Sequence, residues 1–322
     1  MSATLYTSLE GLPPQIKKSV LVIGNFDGVH IGHQQVIADA RAIAENSGEN
    51  VALGVMMFDP HPRRYFAPDT PAFRLTKIET RQRLLGALGV DFILALPFDE
   101  ALASCPAEDF ISDMLCQKLA IRAVAVGQDF RFGHKRKGTT AMLTQFAAIH
   151  GFRVAITEAV MQNNEGEEGE PYSSSAIRQH LQDGKPDAAA ALLGRGWAIE
   201  GVIETGDKRG RTIGFATINM ALADYLHPQF GVYAVRAHLL DGAHKGQSFM
   251  GVANLGMRPT FDTPAPRLES HLFNFDDDIY GDTASVELLH FMRAEQKFAS
   301  LDALQTQIAK DATSARNYFA GI

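Results

Sequence analysis

The sequence predicts an α/β protein with two domains: an open parallel sheet with helices on both faces, then an antiparallel β domain that ends in a helix. At 322 residues the chain is long enough to bury two separate cores. The first half alternates short apolar runs with helical stretches, which is the pattern of βαβ units. The second half changes to strands with period-two stretches, separated by Gly, Asp, Asn and Pro.

The first domain is predicted to be a Rossmann-like sheet with right-handed crossovers. Its strands are apolar almost throughout, as expected when both faces of a parallel sheet are covered. We predict strands at 19–24, 51–57, 91–96, 122–127 and 152–157, and helices at 32–47, 76–88, 106–119 and 139–150. Ligands of such a sheet bind beyond the carboxyl ends of its strands.

A short helical region at about 174–194 is interrupted by Gly184, Lys185 and Pro186. We place the domain boundary there, which gives domains at 1–185 and 186–322. Beyond it we predict strands near 197–204, 231–240, 248–255, 267–274 and 284–291, and a closing helix at about 300–318. This spacing indicates an antiparallel barrel or sandwich.

The composition excludes several classes of protein. Hydrophobic residues make up 46% and charged residues 21%, which is ordinary for a soluble globular protein. The net charge of -7 argues against a general nucleic-acid surface but not against nucleotides, which need only a local anion site. Cys105 and Cys116 have no metal-type spacing. No secretory signal and no membrane-length apolar run is recognisable, so we expect a cytoplasmic protein without a membrane partner.

The most informative segment is Gly24–His33, which reads GNFDGVHIGH and joins an apolar run to a helical pattern. Its glycines suit a sharp turn where the backbone approaches a ligand closely. His30 and His33 lie three residues apart, so they share one face of the first helical turn. Free amides and the helix dipole attract anions there. The segment predicts a phosphate site; the alternative is a structural junction with two surface histidines.

These ten residues resemble the signature of the FMN adenylyltransferase module in bacterial bifunctional riboflavin kinase/FAD synthetases. The resemblance covers about residues 19–318, with two motif sets in family order. It implies a nucleotidyltransferase domain in which a phosphate oxygen of FMN attacks the α-phosphorus of ATP and pyrophosphate leaves. In this segment the resemblance implies six ATP-binding residues: Gly24, Phe26, Asp27, Gly28, His30 and His33. It also implies that both histidines are catalytic at the α-phosphate.

The resemblance also implies a flavin site in the first domain. A flavin ring is flat, apolar on its faces and polar along one edge. We expect Phe130 and Phe132 to pack against it while Asp129 meets the polar edge; the alternative is that the two phenylalanines plug the core. Asp59, which lies in the family segment FDPHP, is the fourth flavin-binding residue expected in this domain.

The segment SSSAIR, ending at Arg178, matches a further family motif at a predicted helix start. Hydroxyls, free amides and an arginine together suit a polyphosphate. We therefore expect Ser174, Ser175 and Arg178 to bind the β- and γ-phosphates of ATP. The family usually has threonine at position 175, and serine keeps the hydroxyl. The alternative is an ordinary serine N-cap.

In the second domain, GDKRGRTIGFATIN at 206–219 resembles the flavokinase signature, which usually ends GFPTAN. This resemblance implies a flavokinase-like antiparallel barrel that phosphorylates riboflavin with ATP. Two positions depart from the family, Ala216 and Ile218. Thr217 and Asn219 offer hard oxygen ligands for Mg²⁺. The implied ATP-binding residues are Gly206, Lys208, Gly210, Arg211, Gly214, Thr217 and Asn219.

Glu269, in the family segment LESHLFNF, is the predicted catalytic base of the kinase. A primary alcohol must lose its proton as it attacks a γ-phosphate, and a positioned carboxylate accepts that proton. The alternative is a salt-bridged strand glutamate. Arg293 lies in a family segment that leads into the last helix, and the resemblance places it near the flavin.

The sequence thus predicts an enzyme with two ATP-dependent steps, riboflavin to FMN and FMN to FAD, with Mg²⁺ as the expected ion. Its partners are riboflavin, FMN and ATP, without nucleic acid. The alternative is a monofunctional FAD synthetase with an inactive kinase domain. Two further hypotheses fit less well. A class I aminoacyl-tRNA synthetase fragment would need a KMSKS-like loop, which the sequence lacks. A flavin sensor would not need a base such as Glu269.

Overall fold

The structure is a computed structural model that describes residues 2–47, 50–162, 169–205, 217–258 and 265–321. Its contacts divide the chain into two compact units, Met1–Thr70 with Ile78–Ser173 and Pro71–Lys77 with Ser174–Ile322. The segment Pro71–Lys77 therefore belongs with the second unit although it lies early in the chain. The boundary at residue 185 stays a prediction about which parts of the chain function alone.

The first unit contains a six-stranded parallel sheet in the order β1-β4-β3-β2-β5-β6. Its strands are β1 (Thr4–Tyr6), β2 (Val20–Ile23), β3 (Leu53–Phe58), β4 (Phe92–Leu96), β5 (Ala123–Gly127) and β6 (Arg153–Thr157). Its helices are α1 (Ile31–Glu45), α2 (Pro62–Phe66), α3 (Ile78–Ala87), α4 (Glu100–Ser104), α5 (Ala107–Asp109, continued by a π-helix at Phe110–Lys118) and α6 (Thr140–His150). The predicted Rossmann-like fold class is confirmed.

The strands of this sheet divide their side chains between two cores. In β2, Leu21 and Ile23 pack into the core on one face, and Val20 and Val22 pack into the core on the other. All four are essentially inaccessible to solvent. Burying one such aliphatic side chain stabilises the fold by about 1.5–3 kcal/mol. Because both faces are covered, the strands are apolar throughout, and the only parts of β2 open to a ligand are its ends.

The second unit is a six-stranded antiparallel sheet in the order β7-β12-β9-β10-β11-β8. Its strands are β7 (Trp197–Val202), β8 (Ile218–Ala221), β9 (Gly231–Leu239), β10 (Ser248–Arg258), β11 (Ala265–Leu272) and β12 (Thr283–Ala294). A bridge between Glu204 and Asn219 links the two ends of the sheet, so the sheet is a nearly closed barrel rather than a sandwich. Its helices are α7 (Ser174–Gln182), α8 (Pro186–Leu193) and α9 (Leu301–Ala320).

Segment Pro71–Lys77 completes the core of this second unit. Leu75 is fully buried, and its carbonyl accepts a hydrogen bond of 2.9 Å from the indole Nε1 of Trp197. The ammonium of Lys77 donates to the Glu200 carbonyl at 3.0 Å. Trp197 is 1% exposed, so a residue from the first half of the chain covers the largest side chain of the barrel.

Two strands were not predicted from the sequence. Strand β1 has only three residues and lies at the edge of the sheet. Strand β8 lies at the end of a segment that was treated as a phosphate-binding loop. Within the part of the chain that the structure describes, no helix is both long enough and apolar enough to cross a membrane.

Candidate active sites

The candidate residues of the first unit lie at the carboxyl edge of its parallel sheet. Strands β4, β3, β2 and β5 are neighbours in that order, so the loops that follow them lie side by side. In the same order these loops carry Phe98, Asp59, the Gly24–His30 loop, and Asp129 with Phe130. The sheet therefore brings residues from distant parts of the sequence to one edge.

The Gly24–His30 loop follows β2 directly and has an uncommon backbone. The angle φ is positive at Phe26 (51°), Gly28 (90°) and Val29 (45°). Non-glycine residues with positive φ cost about 1–3 kcal/mol each and persist only where the surroundings impose them. Phe26 and Val29 are 2% and 1% exposed and pack into one of the two cores. Buried side chains therefore hold the loop in this conformation.

The two histidines meet at the start of α1. His30 is the N-cap, and its Nδ1 accepts a hydrogen bond of 3.3 Å from the His33 amide. An accepting Nδ1 carries no proton, so the proton of the neutral His30 ring is on Nε2. The two rings stack with their centroids 3.5 Å apart and their planes at 20°. The ring of His33 also contacts Phe26, with centroids 4.9 Å apart.

The glycine between the histidines is required by close packing. A Cβ atom at Gly32 would lie 3.0 Å from the carbonyl oxygen of Tyr172 and 3.2 Å from Nδ1 of His30. Any side chain at this position would displace the backbone or the His30 ring. Asp27 is 4% exposed, so its carboxylate is held inside the loop rather than presented to solvent.

An aromatic cluster at this edge was not predicted as a site. Phe98 contacts Phe58, Tyr65 and Phe66 with ring centroids 5.8, 5.3 and 5.7 Å apart. Tyr65 is 37% exposed and Phe66 is 68% exposed, so the cluster presents ring surface to solvent. Asp59 follows Phe58 directly. The signal in the sequence was the pair of aromatics that end β3 and follow β4, but their proximity depends on the strand order.

The three residues predicted after β5 have different environments. Asp129 is exposed and Phe130 is partly buried. Phe132 is 7% exposed and belongs to a hydrophobic core, where its ring lies 5.4 Å from that of Phe110. It also stacks on Phe130 at 5.5 Å. Phe132 therefore plugs the core, as the alternative interpretation held, and its flavin contact stays a prediction.

The serines of the second phosphate motif lie at the start of α7. Ser174 and Ser175 are its first two residues, and Arg178 follows about one turn after Ser174. Nε of Arg178 donates to the carbonyl of Phe73 at 2.8 Å, and its guanidinium lies 5.4 Å from the centre of the Phe73 ring. This anchoring fixes the position of the cation relative to the helix start.

In the second unit, Glu269 lies in a row of polar residues across the barrel. On β11 it is paired with Asn254 of β10 on one side and with Asn219 of β8 on the other. Directly opposed residues of an antiparallel pair project from the same face, with Cβ atoms about 4.5–5.5 Å apart. Thr217 lies two residues before Asn219, directly before the start of β8. Asn254 was not predicted from the sequence.

Charges beside this row are compensated. Arg267 lies two residues before Glu269, and its Nη1 donates to the carboxylate of Glu204 at 2.6 Å. Glu204 is bridged to Asn219, so this ion pair borders the polar row. Gly206, Lys208, Gly210, Arg211, Gly214 and Ala216 lie outside the described residues.

A pocket on the other face of the β8–β11 pair is lined by Thr217, Ile218, Ser270, Leu272, Phe275, Ile279 and Tyr280, among others. Ser270 is 1% exposed, and within the part of the chain that the structure describes its Oγ makes no hydrogen bond. A buried hydroxyl without a partner costs about 1–3 kcal/mol.

Arg293 is engaged in a structural ion pair. Its Nε and Nη2 donate to the two carboxylate oxygens of Asp311 at 2.9 and 2.7 Å. Gln307 donates to the same carboxylate at 2.9 Å. Asp311 is 7% exposed and lies on α9, so Arg293 links the end of β12 to the terminal helix. A contact between Arg293 and the flavin stays a prediction.

Two family models match the chain. A model described as FAD synthetase matches residues 12–170. A model described as riboflavin kinase matches residues 193–319. The first match contains the histidine loop and the aromatic cluster, and the second contains the whole barrel with Glu269 and its neighbours.

Relatives that match along nearly their whole length have names that state both activities. Bifunctional riboflavin kinase/FMN adenylyltransferase of Escherichia coli strain K12 is 41% identical over 300 residues, 93% of this chain and 92% of the relative. The protein of that name in Bacillus subtilis is 37% identical, with 95% and 94% covered. A crystal structure titled macrolide-efflux protein, from Streptococcus pneumoniae, has a TM-score of 0.84 and 30% identity, and it covers 98% of this chain and 99% of its own.

Proposed function

The chain belongs to the bifunctional riboflavin kinase/FMN adenylyltransferase family, and we propose a division of its two reactions among its residues. It phosphorylates riboflavin to FMN with ATP and transfers AMP from ATP to FMN. The observation that supports this most strongly is the pair of family matches, one on each half of the chain. We further propose that it works in the cytoplasm.

Supplying riboflavin and ATP to the purified chain tests the pair of activities. We expect FMN first and FAD later. A chain that converts FMN to FAD but makes no FMN would instead be the monofunctional alternative.

For adenylyl transfer, His30 and His33 would bind the α-phosphate of ATP at the start of α1. The Nε2 proton of His30 is a donor for a phosphate oxygen, because its Nδ1 already accepts the His33 amide. The attacking phosphate of FMN is ionised at neutral pH, so the residues position the reactants and stabilise charge rather than remove a proton. The assignment further includes Gly24, Phe26, Asp27 and Gly28 around ATP, and Ser174, Ser175 and Arg178 at its β- and γ-phosphates.

The exposed aromatic cluster supports a flavin site at the ends of β3 and β4. Its rings offer flat apolar surface to a flavin, and Asp59 lies at its border. Asp129 and Phe130, which follow β5, lie on the other side of the histidine loop. A flavin at this edge would place its phosphate toward the loop after β2.

For the kinase reaction, Glu269 would act as the base. Its carboxylate would take the proton of the riboflavin hydroxyl as that oxygen attacks the γ-phosphate. Asn219 and Asn254 lie on either side of Glu269, and their side-chain amides project from the same face of the sheet as its carboxylate. Glu204 is the second carboxylate of this region, and its ion pair with Arg267 neutralises its charge. Glu269 is therefore the carboxylate that we assign to the substrate.

The residues around Glu269 fit a magnesium ion. The Thr217 hydroxyl and the Asn219 carbonyl are hard oxygen ligands, and substrate phosphates would supply the remaining ones. Such an ion would neutralise charge on the β- and γ-phosphates. Asn219 is 3% exposed and directly opposes Glu269, so its amide has a fixed position.

Replacing Asn219 with alanine is expected to lower FMN formation at least about tenfold, because an oxygen ligand for the ion is lost. The Mg²⁺ concentration that gives half of the maximal rate should rise. FAD formation from supplied FMN should not change, and Asn317→Ala on the exposed surface of α9 serves as the control. An unaltered Mg²⁺ dependence of FMN formation would exclude Asn219 as a ligand.

The proposed domains can be separated by truncation. We expect a fragment of residues 186–322 to make FMN but no FAD, since it lacks the histidine loop. It should melt at a lower temperature than the full chain, because it lacks Leu75, and losing a buried leucine costs about 2–5 kcal/mol. Product analysis and thermal melting of both chains check this. FAD formation by the fragment would contradict the assignment of the two reactions.

A further inference from the structure

Arg81 on α3 is a buried cation that has no assigned role in either reaction. Arg81 is 3% exposed, and its Nη1 donates a hydrogen bond of 2.9 Å to the carbonyl of Asn25. The same nitrogen lies 3.4 Å from Sδ of Met57, which is fully buried. Arginine is almost never fully buried unless it is paired, because burying its charge is costly. A buried guanidinium is therefore held by its partners, and the Asn25 carbonyl is one of them.

One group that Arg81 binds is the backbone of the histidine loop. Asn25 directly precedes Phe26, which is the first of the three loop residues with a positive φ angle. The Oδ1 of the Asn25 side chain is buried and makes no hydrogen bond within the described residues. The carbonyl bond to Arg81 is therefore a direct tie between α3 and this part of the loop.

The loop in turn determines where the histidines lie. Val29 donates its amide to the Phe26 carbonyl at 3.1 Å, and its own carbonyl accepts from Gln34 at 3.1 Å. His30 follows and caps α1. A shift of the peptide at Asn25 would pass through this short chain of bonds to the imidazole of His30. A displacement of about 1 Å can cost about a hundredfold in rate when groups must be aligned for attack.

We propose that Arg81 is a positioning residue for adenylyl transfer, which fixes the Asn25 carbonyl and so sets the histidine loop for the α-phosphate of ATP. This inference rests on the proposed role of His30 and His33. Arg81 touches neither substrate. It is suited to the task because a guanidinium stays protonated at every working pH and donates in a rigid, planar geometry.

The test compares Arg81→Lys and Arg81→Met in the full chain, with Arg83→Met, on the exposed side of the same helix, as the matched control. We expect kcat for FMN adenylylation to fall about 10- to 100-fold in Arg81→Met and less in Arg81→Lys, which keeps the charge and one donor. The KM values for ATP and FMN should change little. FMN formation by the same chains should stay at the wild-type rate, and KM values for ATP and FMN near those of the wild type would show that the first unit is folded.

Wild-type kcat for adenylylation in Arg81→Lys or Arg81→Met would overturn the inference. So would an effect on KM alone, since a positioning residue acts on kcat. If Arg81→Met does not fold, the kcat of Arg81→Lys decides. The proposed function fails separately, namely if His33→Ala leaves adenylylation unchanged.

Discussion

Replacing His33 with alanine is expected to slow FAD formation from FMN and ATP by about two orders of magnitude or more. The substitution removes one hydrogen-bond donor that would stabilise the charge developing at the α-phosphate, and the loss of such a donor has an effect of this size. The stacked imidazoles of His30 and His33 are set by the N-cap of α1 and by Phe26. The backbone hydrogen bond to His30 uses the amide of His33 and survives the substitution. The loss should therefore report on the imidazole and not on the helix start.

The measurement is the initial rate of both reactions with the same purified chain, by separation of riboflavin, FMN and FAD. Riboflavin phosphorylation should remain at the wild-type rate. His150→Ala, at the exposed end of α6, is the control for a histidine without an assigned role. Equal losses in both reactions, or no loss at all, would mean that His33 is structural.

Replacing Glu269 with glutamine is expected to lower riboflavin phosphorylation about 10²–10⁴-fold, because the side chain keeps its shape but no longer accepts a proton. FAD formation from supplied FMN should be intact. The pairing of β11 with β8 and β10 does not depend on the carboxylate, since it is made by the backbone. The variant should therefore fold and bind substrates.

A matched control for Glu269 is Glu287→Gln. Glu287 is also a strand glutamate, and its carboxylate lies 3.0 Å from Nε of Arg236, so it represents the salt-bridged glutamate that was the alternative for Glu269. Its substitution should leave FMN formation near the wild-type rate. Should Glu269→Gln behave in the same way, the carboxylate would have no part in the mechanism.

The fold class could be predicted from the sequence because its signals are local. Runs such as Val20–Ile23 are apolar on every residue, and this alone indicates a parallel strand covered on both faces. The segment Pro71–Lys77 gives no such signal. Its place in the second unit depends on contacts of Leu75 and Lys77 with residues more than a hundred positions later.

The site shows the same division between local and distant information. The spacing of His30 and His33 puts them in one helical turn, so the sequence is sufficient to bring them together. The neighbours of Glu269 depend on the register of β11, which the sequence does not specify, and so Asn254 was missed. Arg81 resembles any surface arginine of an amphipathic helix, and only the fold shows that it is buried.

The measurement that tests the account most directly is FAD formation from riboflavin and ATP by a mixture of the His33→Ala and Glu269→Gln chains. Alone, the first should accumulate FMN, and the second should form FMN from riboflavin only at its strongly lowered rate. Together, they should make FAD once FMN released by the first chain reaches the adenylylation site of the second. If FMN accumulates to a concentration that Glu269→Gln converts when FMN is added directly, and the mixture still makes no FAD, the division of the two reactions between these residues is wrong.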